Sequence, residues 1–101
     1  MTDIEAILER CEGFEWDEHN QEKNYWKHGV TLFECEEVFF NEPVMLAADV
    51  AHSSTESRYW LLGQTNEGRH LLVVFMTRRS KIRVITARDM TRKEKQRYGQ
   101  L

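Results

Sequence analysis

The side chains best suited to chemistry in this 101-residue sequence are Arg58, Arg69, Arg83 and Arg88, set in or beside runs of β-forming residues. A guanidinium presents a rigid fork of N–H donors that matches two phosphate oxygens at once, which a lysine ammonium cannot do. Several such groups on a stiff sheet suit a nucleic-acid backbone. Arg78 and Arg79, at the end of the apolar run Leu71–Met76, extend the same charge along a nucleic-acid backbone. Taken singly, each arginine is as readily a solvated edge residue or the partner of a carboxylate. One condition is strict: in a regular strand Arg83 and Arg88 face opposite sides, so they share a site only if the strand bulges or ends near Ala87.

Lys27-His28-Gly29 is the second candidate. Histidine titrates near neutrality without help, and Lys27 serves as a general base only where adjacent cations and burial prepare it. Basic residues in a last helical turn also simply complement the helix dipole. His52, Ser53 and Ser54 lack a nucleophile elbow and read as a polar loop, and His70 reads as a hydrogen-bonded strand residue. Tyr98, in the basic stretch from Thr91, either reaches a phosphate or base or packs on the sheet. Trp16, Tyr25, Trp26, Phe33, Phe39, Phe40 and Trp60 have the spacing of core residues, with one or two available for base stacking.

These groups sit in a divided chain. Fourteen acidic and three basic residues precede Arg58, whereas eleven basic and three acidic residues run from Arg58 to the end, so a formal net charge of −3 conceals a cationic half. That asymmetry points to a polyanionic partner. With 41% apolar and 31% charged residues and one proline, the composition is that of one ordinary globular domain over residues 1–101. No apolar stretch approaches the roughly 20 residues that span a bilayer, and the acidic start lacks a signal-peptide n-region, so a cytoplasmic protein without membrane contact is expected. Cys11 and Cys35 have no metal-ligand spacing and read as two buried thiols. No metal site and no cofactor are expected.

The elements that must position the candidates can be read in order. Ile4, Ile7, Leu8 and Cys11 mark a short helix stopped by Gly13, an N-terminal extension over residues 1–12. A brief strand at Phe14–Trp16 precedes a helix from Asp17 to His28, closed by Gly29 in a left-handed conformation. Thr31 and Glu34 form a capping box opening a helix to about Phe40, which Asn41-Glu42-Pro43 ends. Strands are expected over Val44–Asp49, Arg58–Thr65, Arg69–Thr77 and Ile82–Arg88, with a bulged turn at Asn66–Gly68 and a reversal at Ser80. Thr91 and Glu94 form a second capping box for a C-terminal helix running to the end of the chain. Helices, then an antiparallel meander, then a helix make an α+β domain.

The ordered set Phe14-Glu15-Trp16-Asp17, Asn24, Lys27–Val30, Glu37–Phe39, Asn41–Pro43, His52, Glu56, Arg58, Gly63, Leu71–Val74, Ile82–Arg88 and Glu94–Tyr98 resembles the BrnT family. Members are toxins of type II toxin–antitoxin modules. The resemblance implies a RelE-like fold and a ribonuclease that blocks translation. It also implies neutralisation by a BrnA-like ribbon-helix-helix antitoxin, through which alone operator DNA would be bound. By motif, Lys27, His28, Arg58, Arg83 and Arg88 become active-site candidates, with Arg69 and Tyr98 beside them. Thr86 stands where the family commonly has Ser, and the segment before Gly13 lies outside the pattern.

The expected reaction is attack of a ribose 2′-hydroxyl on the adjacent phosphate without a metal. Lys27 and His28 would move protons while Arg58, Arg83 and Arg88 stabilise the phosphorane. A requirement for the 2′-hydroxyl excludes DNA as substrate. The competing readings are a non-catalytic nucleic-acid-binding module and an antitoxin-binding subunit of a repressor complex.

Overall fold

A computed structural model of the chain describes residues 4–49 and 57–101. His52, Ser53, Ser54, Glu56 and the polar loop they belong to lie outside those residues. In chain order the elements are α1 (Ile4–Glu9), β1 (Phe14–Glu15), α2 (Glu18–His28), α3 (Leu32–Glu37), β2 (Met45–Ala48), β3 (Arg58–Gln64), β4 (His70–Arg78), β5 (Lys81–Asp89) and α4 (Arg92–Tyr98). Both capping boxes are formed, the hydroxyls of Thr31 and Thr91 accepting from the backbone N–H groups of Glu34 and Glu94. Gly29 closes α2 at φ +65°, a left-handed conformation that spares it the Cβ clash of other residues. α3 stops earlier than its pattern suggests, and Val38 to Phe40 form turns.

The five strands lie in the order β1-β5-β4-β3-β2. β2 through β5 form the expected antiparallel meander, but β1 pairs with β5 in parallel, Phe14 opposite Ile82 and Glu15 opposite Arg83. The sheet is therefore mixed, not wholly antiparallel. Two residues are too few to announce a pairing partner by pattern, and the parallel direction follows from the path of the chain around the helices. β4 and β5 join through Arg79 (φ 53°) and Ser80 (φ 63°), a two-residue left-handed turn matched to the twist of the strands.

Alternation divides the sheet into two faces. Tyr59, Leu61, Leu71, Val73, Phe75, Ile82, Val84 and Ala87 are buried on one, against Val30, Cys35 and Val38 and, more loosely, Leu8 and Cys11 of the N-terminal extension. Phe39 stands edge-on to both Phe14 and Phe75, tying β1 to the middle of the sheet. Among the described residues the other face is covered at one end, where Tyr98 of α4 and Met90 pack on Leu62.

Several aromatics depart from the core reading. Tyr25, Trp26, Phe33 and Phe40 are exposed, Trp26 by 80%. On α3 the buried positions are Cys35 and Val38, which turn Phe33 roughly 200° from Cys35 at about 100° per residue, away from the sheet. An apolar residue inside a helical pattern does not reveal which face the helix buries.

Gly63, in the middle of β3, sits where α3 ends. A Cβ there would lie 2.9 Å from the carbonyl oxygen of Val38 and 2.9 Å from a methyl of Leu61. Backbone cannot retreat as a side chain can, so Gly63→Ala should destabilise the fold by about 1–3 kcal/mol, measured by urea unfolding. A variant as stable as the parent would show that α3 approaches β3 less closely.

Candidate nucleic-acid interface

The fate of the arginines is decided by the register of β5. Val84 lies opposite Phe75 and Thr86 opposite Val74, so Ile85 is an extra residue without a partner in the ladder. This bulge resets the parity of the strand. Ile82, Val84 and Ala87 all turn to the core, while Arg83, Thr86 and Arg88 all turn to the opposite face. The strict condition for Arg83 and Arg88 to share a surface is met. Cross-strand partners extend it: Arg58, Met76 and Arg83 form one row, Trp60, Val74 and Thr86 the next, and Leu62, Leu72 and Arg88 a third. Beyond the first row, Arg78 pairs with Lys81 on the same side.

Arg88 is held in a fixed direction. Its two terminal nitrogens donate to the two carboxylate oxygens of Glu94 at 2.8 and 3.0 Å, and one also donates to the carbonyl of Asp89 at 3.0 Å. The same Glu94 carboxylate accepts from the Thr91 backbone N–H at 2.8 Å, so the cap of α4 and the aim of Arg88 depend on one side chain. Hydrogen bonding from Arg88 holds the Glu94 carboxyl below its ordinary range. Arg83 leans toward Asp17 at 3.5 Å, just ahead of α2.

Arg69 does not join this face. It lies on the helical side, where its fork grips the Asp89 carboxylate at 2.7 and 3.1 Å and reaches Glu34 on α3 at 3.2 Å. It also donates to the last carbonyls of α2, those of Gly29 at 2.8 Å and His28 at 3.2 Å. The strand, both helices and the end of β5 thus meet at one guanidinium, which works as a C-terminal cap for α2.

Lys27 and His28 end α2, Lys27 exposed and His28 partly so. His28 and Lys95 both lie near Asp89, at the end of β5. The burial that would prepare Lys27 as a base is lacking. Tyr98 is buried: its hydroxyl donates to the Pro43 carbonyl at 2.6 Å and its ring meets His70 edge-on at 5.4 Å. Burial raises the hydroxyl's pKa. Arg79 is part of the β4–β5 turn at the far end of the sheet, exposed like Arg78.

Sequence reasoning passed over two side chains that share the arginine face. Lys81 has the parity of Arg83, a signal open to inspection once the strand start is known. Arg97 stands one turn after Glu94 and lies over the ring of Trp60, 5.8 Å from its centroid. Trp60, one of the aromatics with core spacing of which one or two remain available for stacking, lines a groove of about 470 Å³ with Leu62, Leu72 and Val74. Among the described residues, no three His, Cys, Asp or Glu side chains converge as metal ligands. Cys35 is buried, its thiol pushed up to about 12 mainly by desolvation, and Cys11 is partly buried; neither is in a disulfide.

Residues 16–94 match the family described as ribonuclease toxin, BrnT, of type II toxin–antitoxin systems. The chain belongs to the BrnT family. A 1.1 Å crystal structure of the Brucella abortus ribonuclease toxin, BrnT, shares the fold at a TM-score of 0.60 and 20% identity, covering 79% of this chain and 97% of that one. No curated relative matches the sequence. The BrnT match covers Lys27, His28 and all the arginines discussed here except Arg97, and it begins after α1 and β1. A type II toxin–antitoxin family implies an antitoxin partner. No helix of the described residues is long and apolar enough to cross a membrane.

The Arg69 junction generates a pH dependence of stability. Asp89 is lowered chiefly by its hydrogen bond from Arg69, and Glu94 by that from Arg88. A depressed folded-state value means that the stabilisation is complete above the unfolded carboxylate range, near pH 4, and fades as pH falls through the folded values below it. Arg69→Met should therefore be less stable than the parent at pH 7, with the difference shrinking toward about pH 2. Urea unfolding at the two pH values checks this, and equal stability at pH 7 would contradict it.

Proposed function

We propose that this BrnT-family chain is a metal-independent endoribonuclease toxin with a RelE-like fold, acting in the cytoplasm to block translation. The observation that carries this reading is the bulge at Ile85, which puts Arg58, Arg83 and Arg88 on one face. Their guanidiniums supply the positive charge over a phosphodiester that another nuclease would draw from metal ions. In the proposed step the 2′-hydroxyl loses its proton to a base and attacks the adjacent phosphorus. The bond to the 5′ oxygen breaks, and a proton is delivered to that leaving oxygen. His28, at the sheet end where β5 finishes, is our choice for proton transfer, and Lys27 contributes charge beside it. Arg78 lengthens the cationic track for the RNA backbone, and Arg79 marks its end.

Purified protein should cleave total RNA in the presence of a chelator, and Arg83→Ala or Arg88→Ala should lower the rate by about 10²–10³. Undiminished cleavage by both variants would move the chemistry elsewhere. Chelator-sensitive cleavage would overturn the metal-free step alone.

The antitoxin partner is proposed to be a BrnA-like ribbon-helix-helix protein, with operator DNA bound only through it. Support comes from the surface around Tyr25, Trp26 and Phe33, where exposed aromatics line a cleft beside Glu22 on an acidic half of the chain. An apolar, acid-rimmed cleft suits a cationic amphipathic segment. Trp26→Ala with Phe33→Ala should weaken the toxin–antitoxin complex in calorimetric titration while leaving RNA cleavage by the free toxin in place. Unaltered affinity would exclude this face from the contact.

A further inference from the structure

We propose that the groove floored by Trp60 is a nucleobase slot for single-stranded RNA, seating a base next to a phosphate held by Arg88. The proposal rests on the RNA reading above and names how the substrate is gripped. Phosphates alone do not account for the groove. Its lining joins an apolar set, Trp60, Leu62, Leu72 and Val74, to Thr86 and to four charged groups, the arginines Arg88 and Arg97 and the carboxylates Asp49 and Glu94. A surface made only for phosphate would present N–H donors throughout. A flat apolar floor beside a fixed guanidinium instead matches an amphiphile, a planar ring joined to an anionic link, and a nucleotide has that form.

The order of the rows sharpens this. The Trp60–Val74–Thr86 row lies between the row of Arg58 and Arg83 and the row of Arg88. Along β3 the outer rows are four residues apart, about 13 Å at 3.3 Å per residue. Cations therefore flank an apolar strip on both sides along one strand direction, so a backbone that follows the cations carries a base over the tryptophan between them. Trp60 is only partly buried, and the guanidinium of Arg97 already lies 5.8 Å from the centre of its ring. Indole and guanidinium both stack on nucleobases, so the pair can close on a base from two sides. A base within a duplex has both faces covered by its neighbours, so the slot selects unpaired RNA.

Arg88 is what ties the slot to the backbone. Arginine has five N–H donors, and its three hydrogen bonds to Glu94 and Asp89 leave two donors without a partner among the described residues. Glu94 fixes their direction beside the groove.

The test compares two strands of equal length, a 2′-O-methylated oligoribonucleotide, which cannot be cleaved, and the same backbone lacking bases, by fluorescence anisotropy. The intact protein should bind the base-bearing strand about 5- to 100-fold more tightly. Trp60→Ala should erase most of that ratio while leaving affinity for the abasic strand in place, and Trp60→Phe should retain it. No preference for bases in the intact protein, which needs no variant to fold, would overturn the slot. So would a Trp60→Ala protein that keeps the ratio but loses affinity for the antitoxin, because the groove would then be a protein-docking face. Cleavage without a base preference would sink the slot alone. A base preference without cleavage in the parallel RNA assay would sink the ribonuclease reading alone.

Discussion

One extra residue in one strand carries the arrangement. β5 must bury Ile82, Val84 and Ala87 against the helices, and a regular strand that did so from Ile82 would send Arg88 inward as the price of sending Arg83 outward. Inserting Ile85 breaks that exclusion. Two buried segments and two outward cations become compatible in a single strand, because a bulge shifts the pleat by one position without ending the ladder. The faces therefore specialise: one is packed beneath α1, α2 and α3, and the other, covered by α4 at one end, gathers charge from β3, β4 and β5.

Specialisation of the faces explains why arginines that look alike in sequence serve different ends. Arg69 lies on the helical side, and its guanidinium donates to two carboxylates and to two carbonyls that the end of α2 leaves open. Truncating it would leave those acceptors partly desolvated and without a donor, a structural loss independent of any ligand. Arg88 is also paired, but with one carboxylate on the edge of an open groove, and the pairing orients the fork without exhausting it. Ion pairing by itself does not distinguish structural from binding arginines. The face, and the donors left over, do.

Much of this was legible beforehand, and the parts that were not share a cause. The two capping boxes and the Gly29 stop are local devices, each satisfied by residues within a few positions, and they form as their residues dictate, while the three long strands show themselves by β-forming runs between turn residues. The bulge could be named only as a condition, because whether β5 slips at Ile85 depends on what β4 offers opposite it. The parallel pairing of β1 and the exposure of Trp26 and Phe33 are decided by how helices settle on the sheet, which is a long-range matter. Tyr98 had two compatible readings, and the packed one holds in the fold because Pro43 supplies a carbonyl that its position in a basic helix could not foretell.

The division of charge follows from the same geometry. Acidic residues lie mainly in the half that supplies α1, α2 and α3, and basic residues in the half that supplies β3, β4, β5 and α4. Since those helices cover one face, most of the negative charge is kept behind the sheet and most of the positive charge in front, so a nearly balanced chain acts as a directed dipole. Such a dipole draws a polyanion toward the arginine face and away from the helices, and so orients it before any specific contact forms. Two carboxylates that reach the front, Asp17 at Arg83 and Glu94 at Arg88, are placed against arginines, tempering the charge while fixing its aim. Such a surface is attractive at long range through its arginines and selective at short range through their partners, and the bulge at Ile85 makes both properties belong to one face.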